Sequence, residues 1–214
     1  MDVREYYENQ YNEEVRLFRD NANMVEYLTT VHFLDKYLPP NSRILDACAG
    51  PGVYAFYLAE KGHKVIAGDL TPAHVNAMKA NPKAGMLADI RLNNALDMSS
   101  FADNGFDVVL CMGALYHLMD ADDRRKCVAE CLRVAKVGGL VMFAYIHRNA
   151  SFISLFARGF GDGAVRKQIM ETGMFEPFYG MDFGEIDELF GDFAVEQIAH
   201  AGVDGLRYTN RPTT

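Results

Sequence analysis

Residues 44–70 read ILDACAGPGVYAFYLAEKGHKVIAGDL, and the order of residue types along this stretch decides the fold. RILDAC (43–48) is a short apolar run of strand character. Gly50 and Gly52 follow, and VYAFYLAEKG (53–62) then reads as a helix closed by Gly62. HKVIAGDL (63–70) is a second apolar strand. Strand, glycine turn, helix, strand is the unit of a parallel sheet joined by a right-handed crossover.

The pattern continues downstream. PAHVNAMKAN (72–81) predicts a helix with Thr71 as N-cap and Pro72 in its first position. ADIRLNN (88–94) predicts a third strand and FDVVLCMG (106–113) a fourth. DADDRRKCVAECLRVAKVGG (120–139) predicts a capped helix ending at two glycines, followed by LVMFAYI (140–146) as a fifth strand. Apolar strands alternating with helices predict an α/β fold, a doubly wound and mainly parallel sheet with helices on both faces. Ligands of such sheets lie at the carboxyl ends of the strands.

The flanks divide the chain into a helical lid segment over 1–40 and a core over 41–214 that carries a cap insertion at about 148–183. In the lid, 4–20 predicts an irregular helix and 23–37 a second helix that stops before Pro39-Pro40. The cap holds SFISLFARGF and AVRKQIMET around GDG, then the aromatic-rich MFEPFYGMDF. GEIDELFGDF predicts a helix and 193–201 a sixth strand. Little sequence remains for a further strand beside it. That predicts an exposed sheet edge, a shortened chain, or a strand borrowed in a homodimer.

Composition excludes several partner classes. The 214 residues carry a net charge of −8, and the basic residues are scattered, so no nucleic acid partner is expected. DRRK (123–126 region) sits among aspartates and reads as a solvated helix face. No apolar run approaches the ~20 residues of a membrane span. The N-terminus MDVREYYENQYNEE is acidic, unlike a secretory leader. The 4 cysteines lack framework spacing, which suits a reducing cytoplasm. Cys127 and Cys131 stand one helical turn apart, but position 134 is Val, so the radical-cluster set is incomplete and no metal is expected.

Gly50, Gly52 and Ala55 fit G-x-G-x-x-G/A, which also suits a dinucleotide. Asp46, just ahead of the loop, opposes that reading, because a carboxylate there repels a pyrophosphate and favours a cationic ligand. DACAGPG resembles the D/E-x-G-x-G-x-G loop of class I S-adenosylmethionine-dependent methyltransferases, and GDL (68–70) their acidic second-strand end. NNALDMSSFADNGFDVVLCMGALYHL is similar to their passage from third to fourth strand. The likeness covers roughly 41–147, with flanks nearer the small-molecule, menaquinone-methylase-like group. Two departures stand out: Cys48 replaces the first loop glycine, and Asn94-Ala95 replaces Asp-Ala.

The resemblance implies a Rossmann-like fold and S-adenosyl-L-methionine as cofactor. It implies Gly50 and Gly52 for close backbone approach, with Asp46 and Ala47 near the methionine amino group. Asp69 would take the ribose hydroxyls, Leu70 the adenine face, and Asn94 and Ala95 its polar edge. Cys111 and Met112 would offer a backbone carbonyl, and Arg16 would pair the cofactor carboxylate from a lid that includes Tyr6, Tyr7 and Tyr11. Such chemistry is an in-line displacement that needs alignment and, for a hydroxyl or amine, a base near neutrality. His117 and His147, each after a strand, are the candidates, with Tyr116 as a positioning hydroxyl. The expected substrate is a small-molecule methyl acceptor, with quinone precursors, phenols and amines all open. An NAD-dependent oxidoreductase and a methyltransferase-like binding module without turnover are the rival readings.

Overall fold

The computed structural model describes residues 3–9, 13, 16–150, 163–175 and 177–199. Five strands, β1 (Arg43–Asp46), β2 (Lys64–Asp69), β3 (Asp89–Leu92), β4 (Phe106–Cys111) and β5 (Ala135–Phe143), pair in parallel. Their order is β3-β2-β1-β4-β5, so strand order reverses between β1 and β4. The carboxyl ends of β1, β2 and β4 therefore surround the switch point, where such sheets hold ligands.

Among the described residues seven helices accompany the sheet: α1 (Val3–Asn9), α2 (Asn21–Tyr37), α3 (Val53–Glu60), α4 (Pro72–Ala80), α5 (Ala121–Val134), α6 (Gly163–Thr172) and α7 (Phe183–Gly191). Successive strand residues face opposite sides, so each apolar strand feeds two cores. Leu45, Ile66, Val109 and Cys111 pack against Cys127, Val128 and Cys131 of α5 and Ile186 and Leu189 of α7. Ile44, Val65, Ala67, Val108 and Leu110 pack against Leu34 of α2, Phe56 and Leu58 of α3, and Val75 and Met78 of α4. Each such side chain taken from water contributes roughly 1.5–3 kcal/mol, which is what holds the sheet between its helices.

The local signals behave as physical chemistry requires. Gly62, at φ 91°, ends α3: its N–H donates to Ala59 O while His63 N–H donates to Leu58 O. Pro72 opens α4 after Thr71, whose side chain makes no capping bond. Asp69 Oδ1 accepts the Thr71 N–H at 2.8 Å, so the carboxylate at the end of β2 fixes the turn into α4.

Four expectations need correction. First, α5 ends at Val134, and β5 begins at Ala135 rather than after the two glycines. Ala135 pairs with Phe106 and Leu140 with Val108, so Lys136–Gly139 bulge outward, fully in water, with Gly138 at φ 75°. The helix-like pattern of AKVGG misled because a bulge carries no periodicity. Second, residues 194–199 of the expected sixth strand are irregular and exposed. Val195 and Ile198 would fall on opposite faces of a strand, so neither face is apolar enough to bury. Third, the expected 4–20 helix is α1 followed by a separate 3-10 turn at Arg16–Phe18. Fourth, the fifth strand expected over 140–146 ends at Phe143, and Ile146 belongs instead to a second small sheet of β6 (Ile146–His147), β7 (Met174–Phe175) and β8 (Phe178–Met181), in the order β6-β8-β7. The expected helix at 151–160 lies outside the described residues.

Candidate functional site

The loop after β1 is held by its two neighbouring strands, β2 and β4. Ala47 N–H donates to Leu110 O at 2.8 Å, and Ala49 N–H to Gly68 O at 2.9 Å. Gly50 N–H donates to Asp69 Oδ2 at 2.8 Å. Gly50 and Gly52 have φ of 54° and 92°. A Cβ on Gly52 would lie 2.8 Å from Phe56 Cε2 and 2.9 Å from Met78 Cγ. Only glycine fits there, because both the backbone and the space forbid a side chain.

Asp46 closes β1 at 2 % exposure, beneath the loop rather than on the cleft wall. Its Oδ2 is buried and has no hydrogen-bond partner among the described residues. Burial, then the nearby charge of Asp69, push its pKa up to about 7, with the Cys48 backbone N–H pulling the other way. Such a group is poised to ionise beside a cation. Asp69 is more committed: besides Gly50 it accepts from Thr71 N–H and, at 3.1 Å, from His74 Nδ1–H.

A cleft of about 1730 Å³ opens over the carboxyl ends of the strands, and its walls include Gly50, Asp69, Leu70, Asn94, Ala95 and Met112. Asn94 is exposed, and its Oδ1 accepts from Leu96 N–H at 3.0 Å in a local turn. Gly52, like Asp46, is buried off the cleft wall, and two more expected residues face elsewhere. Ala47 is buried and Cys111 fully so, its carbonyl accepting the Ala144 N–H at 3.2 Å. Neither lines the cleft. Cys111 falls on the core face because it sits at an odd register from the cleft-lining Met112.

Arg16 also differs from expectation. It lines the cleft, but its guanidinium grips Glu26 through two bonds of 2.6 and 2.8 Å and Glu13 at 2.5 Å. Two carboxylates hold it, and the bonds to Glu26 and then Glu13 press its pKa up even against burial. Glu13 Cγ stands 3.7 Å from where a Gly50 Cβ would be, so this ion cluster lies over the loop.

His117 occupies the opposite wall, on the 3-10 turn Leu115–His117. Its Nδ1 lies 2.9 Å from Pro177 O. A carbonyl can only accept, so Nδ1 carries the proton and Nε2 is the lone-pair nitrogen. Nε2 accepts from the Tyr7 hydroxyl at 2.9 Å. Burial lowers the pKa of His117 and keeps the ring neutral. Tyr116 packs edge-on at 4.8 Å between centroids and donates its hydroxyl to Met112 O at 3.2 Å. Phe178 covers His117 at 5.0 Å and meets Tyr6 of α1 at 5.8 Å. The lid segment and the cap thus meet over His117. His147 sits apart in β6, stacked on Phe183 at 4.5 Å and accepting the Asn149 N–H at its Nδ1. Burial lowers its pKa as well.

Sequence reasoning missed two positioning residues. Asn93, buried, donates its Nδ2–H to Ala47 O at 2.9 Å and ties the end of β3 to the loop. His74, in the first turn of α4, orients the Asp69 carboxylate. An Asn at a strand end beside Asn94, and a His in a helix's first turn, were the available signals.

Comparison with known proteins decides what this frame is. Residues 45–143 match the family described as "Methyltransferase domain". This segment is a methyltransferase domain. A ubiquinone biosynthesis O-methyltransferase of Hahella chejuensis is 31 % identical over 111 residues, covering 51 % of this chain and 45 % of that protein. The chain spans about half the length of the curated relatives it matches. Among solved structures, a protein of Pyrococcus horikoshii superposes with a TM-score of 0.64 at 19 % identity, covering 92 % of this chain and 95 % of its own. A methyltransferase structure from Methanosarcina mazei gives a TM-score of 0.59 at 23 % identity, covering 75 % of this chain and 82 % of its own. These two likenesses carry the fold of the methyltransferase domain into its flanks. No helix among the described residues is long and apolar enough to cross a membrane.

Proposed function

We propose that the whole chain methylates a small molecule, with a hydroxyl on a flat aromatic acceptor the best match to the site. The observation that carries this reading is His117: neutral, proton fixed on Nδ1 by Pro177 O, and its Nε2 lone pair turned toward Tyr7 within aromatic walls. The names of relatives in ubiquinone biosynthesis point the same way.

The unpartnered Oδ2 of Asp46, beneath the glycine loop, supports a cofactor that carries positive charge. When bound, S-adenosylmethionine supplies an electrophilic methyl group. Gly50, Gly52 and Ala49 give the backbone room, Asp46 answers positive charge, and Asp69, Leu70, Asn94 and Ala95 hold the nucleoside end. His117 receives the acceptor's proton at Nε2, directly or through the Tyr7 hydroxyl, while Tyr116 and Phe178 orient a planar ring. Residues 1–40 act as lid and 148–183 as cap, so water is kept from the reacting groups. His147 is the lesser candidate, since its ring is committed to Phe183. The four free cysteines suit a cytoplasmic setting.

Calorimetric titration tests the cofactor, and a radiolabelled methyl-transfer screen over phenols, catechols and amines tests the acceptor. We expect micromolar binding of S-adenosylhomocysteine, none of NADH, and label on a phenolic oxygen. Binding of NADH alone would restore the oxidoreductase reading, and tight cofactor binding with no acceptor would favour a binding module.

A further inference from the structure

All four cysteines of the chain converge at one place in the core, behind the cofactor loop. Cys48 follows β1, Cys111 ends β4, and Cys127 and Cys131 stand one turn apart on α5. The Cys111 and Cys127 sulfurs lie 3.6 Å apart, and Cys48 Sγ is 4.0 Å from Cys111 Sγ. The sulfurs of Cys111, Cys127 and Cys131 all fall within 4.8 Å of one another, and all three residues are fully buried. None is in a disulfide.

We propose that Cys111, Cys127 and Cys131 form a trithiolate site for a divalent d10 metal ion of the zinc(II) or cadmium(II) class. Zinc–sulfur bonds of about 2.3 Å put the sulfurs of one ion roughly 3.8–4.0 Å apart, tetrahedral or trigonal. The observed separations need only small side-chain movements to reach that spacing. A strand end and a helix face supply the ligands, so the site exists only in the folded chain. Sulfur-only donors select soft ions. Charge selects among these: three thiolates around a divalent ion leave a net −1, while a monovalent ion would leave −2 in an apolar core. Binding releases three thiol protons to solvent, and no electron moves. The ion would fasten the end of β4, next to cleft-lining Met112, to α5. Cys48 flanks the trio, its sulfur beside that of Cys111.

The test is an anaerobic titration of the reduced, chelator-treated protein with cadmium(II) chloride. We expect a sulfur-to-cadmium charge-transfer band saturating at one ion per chain. The melting temperature should rise by about 5–10 °C at a hundredfold excess over the dissociation constant. Cys127→Ala and Cys131→Ala should each lose the band while still binding S-adenosylhomocysteine, and Cys48→Ser should keep it. X-ray absorption at the cadmium edge on the wild-type protein reads the ligand shell without any variant, and should show sulfur only. No band in the wild type, a shell of oxygen and nitrogen, or a band that survives both alanine substitutions together would each leave the thiols as plain core packing and overturn the proposal.

Discussion

Asp46 holds its proton until about pH 7 because burial and the charge of Asp69 both oppose ionisation. In the unfolded chain the same carboxyl ionises near pH 4. The folded protein therefore binds the extra proton between about pH 4 and 7, and its stability falls as pH rises through that window, then levels. Melting temperatures from pH 5 to 8 should show this decline, on the order of 4 kcal/mol across the full window, and Asp46→Asn should flatten it. A ligand ammonium near Asp46 reverses the preference, so affinity for S-adenosylhomocysteine, which keeps that group, should rise from pH 6 to 8. Affinity independent of pH would remove Asp46 from the cofactor's surroundings. At His117 the sign is opposite in origin: burial lowers its pKa, so the base form persists below the ordinary histidine range. His117→Ala should cut kcat by about 10²–10⁴ while leaving cofactor affinity unchanged. A loss confined to KM would assign the ring to binding rather than to proton transfer.

Between elements, the contact of α1, the 3-10 turn and β8 is what completes the acceptor wall. Phe178 packs against His117, Tyr6 and Phe175, so it belongs to the wall and not to the sheet core. Phe178→Ala should raise the acceptor's KM about tenfold and leave S-adenosylhomocysteine binding as it was. If both fell together, Phe178 would be supporting the whole cleft. The elements that a sequence reveals are those with one strong period. RILD, KVIAGD and FDVVLC were legible because they are apolar on both faces, and the Asp46 to Asp69 frame came with them. The β5 bulge was not legible, because four exposed residues between helix and strand obey neither period. Nor could spacing show Arg16 bound to Glu13 and Glu26, since that depends on how the lid segment folds back. The thiol cluster was hidden for a similar reason: its third member, Cys111, comes from another layer.

For the molecule as a whole, both cores draw their buried residues from Leu34 onward. A chain beginning at Asn21 should therefore keep a cooperative melting transition, while turnover should disappear with Tyr7. Loss of folding on this truncation would show that the first segment is structural. The Tyr7–His117 bond joins residues 110 apart in sequence, and Phe178 closes over both. On the ribosome, α1 is made before the elements it packs on: Tyr7 meets His74 and His117, and Tyr6 meets Phe178, so its seat is incomplete until the chain has been extended past Phe178. The sheet can nucleate from β1 and β2 well before that. This helix thus waits for partners made long after it, and a nascent chain stays open at its acceptor wall until Phe178 has emerged.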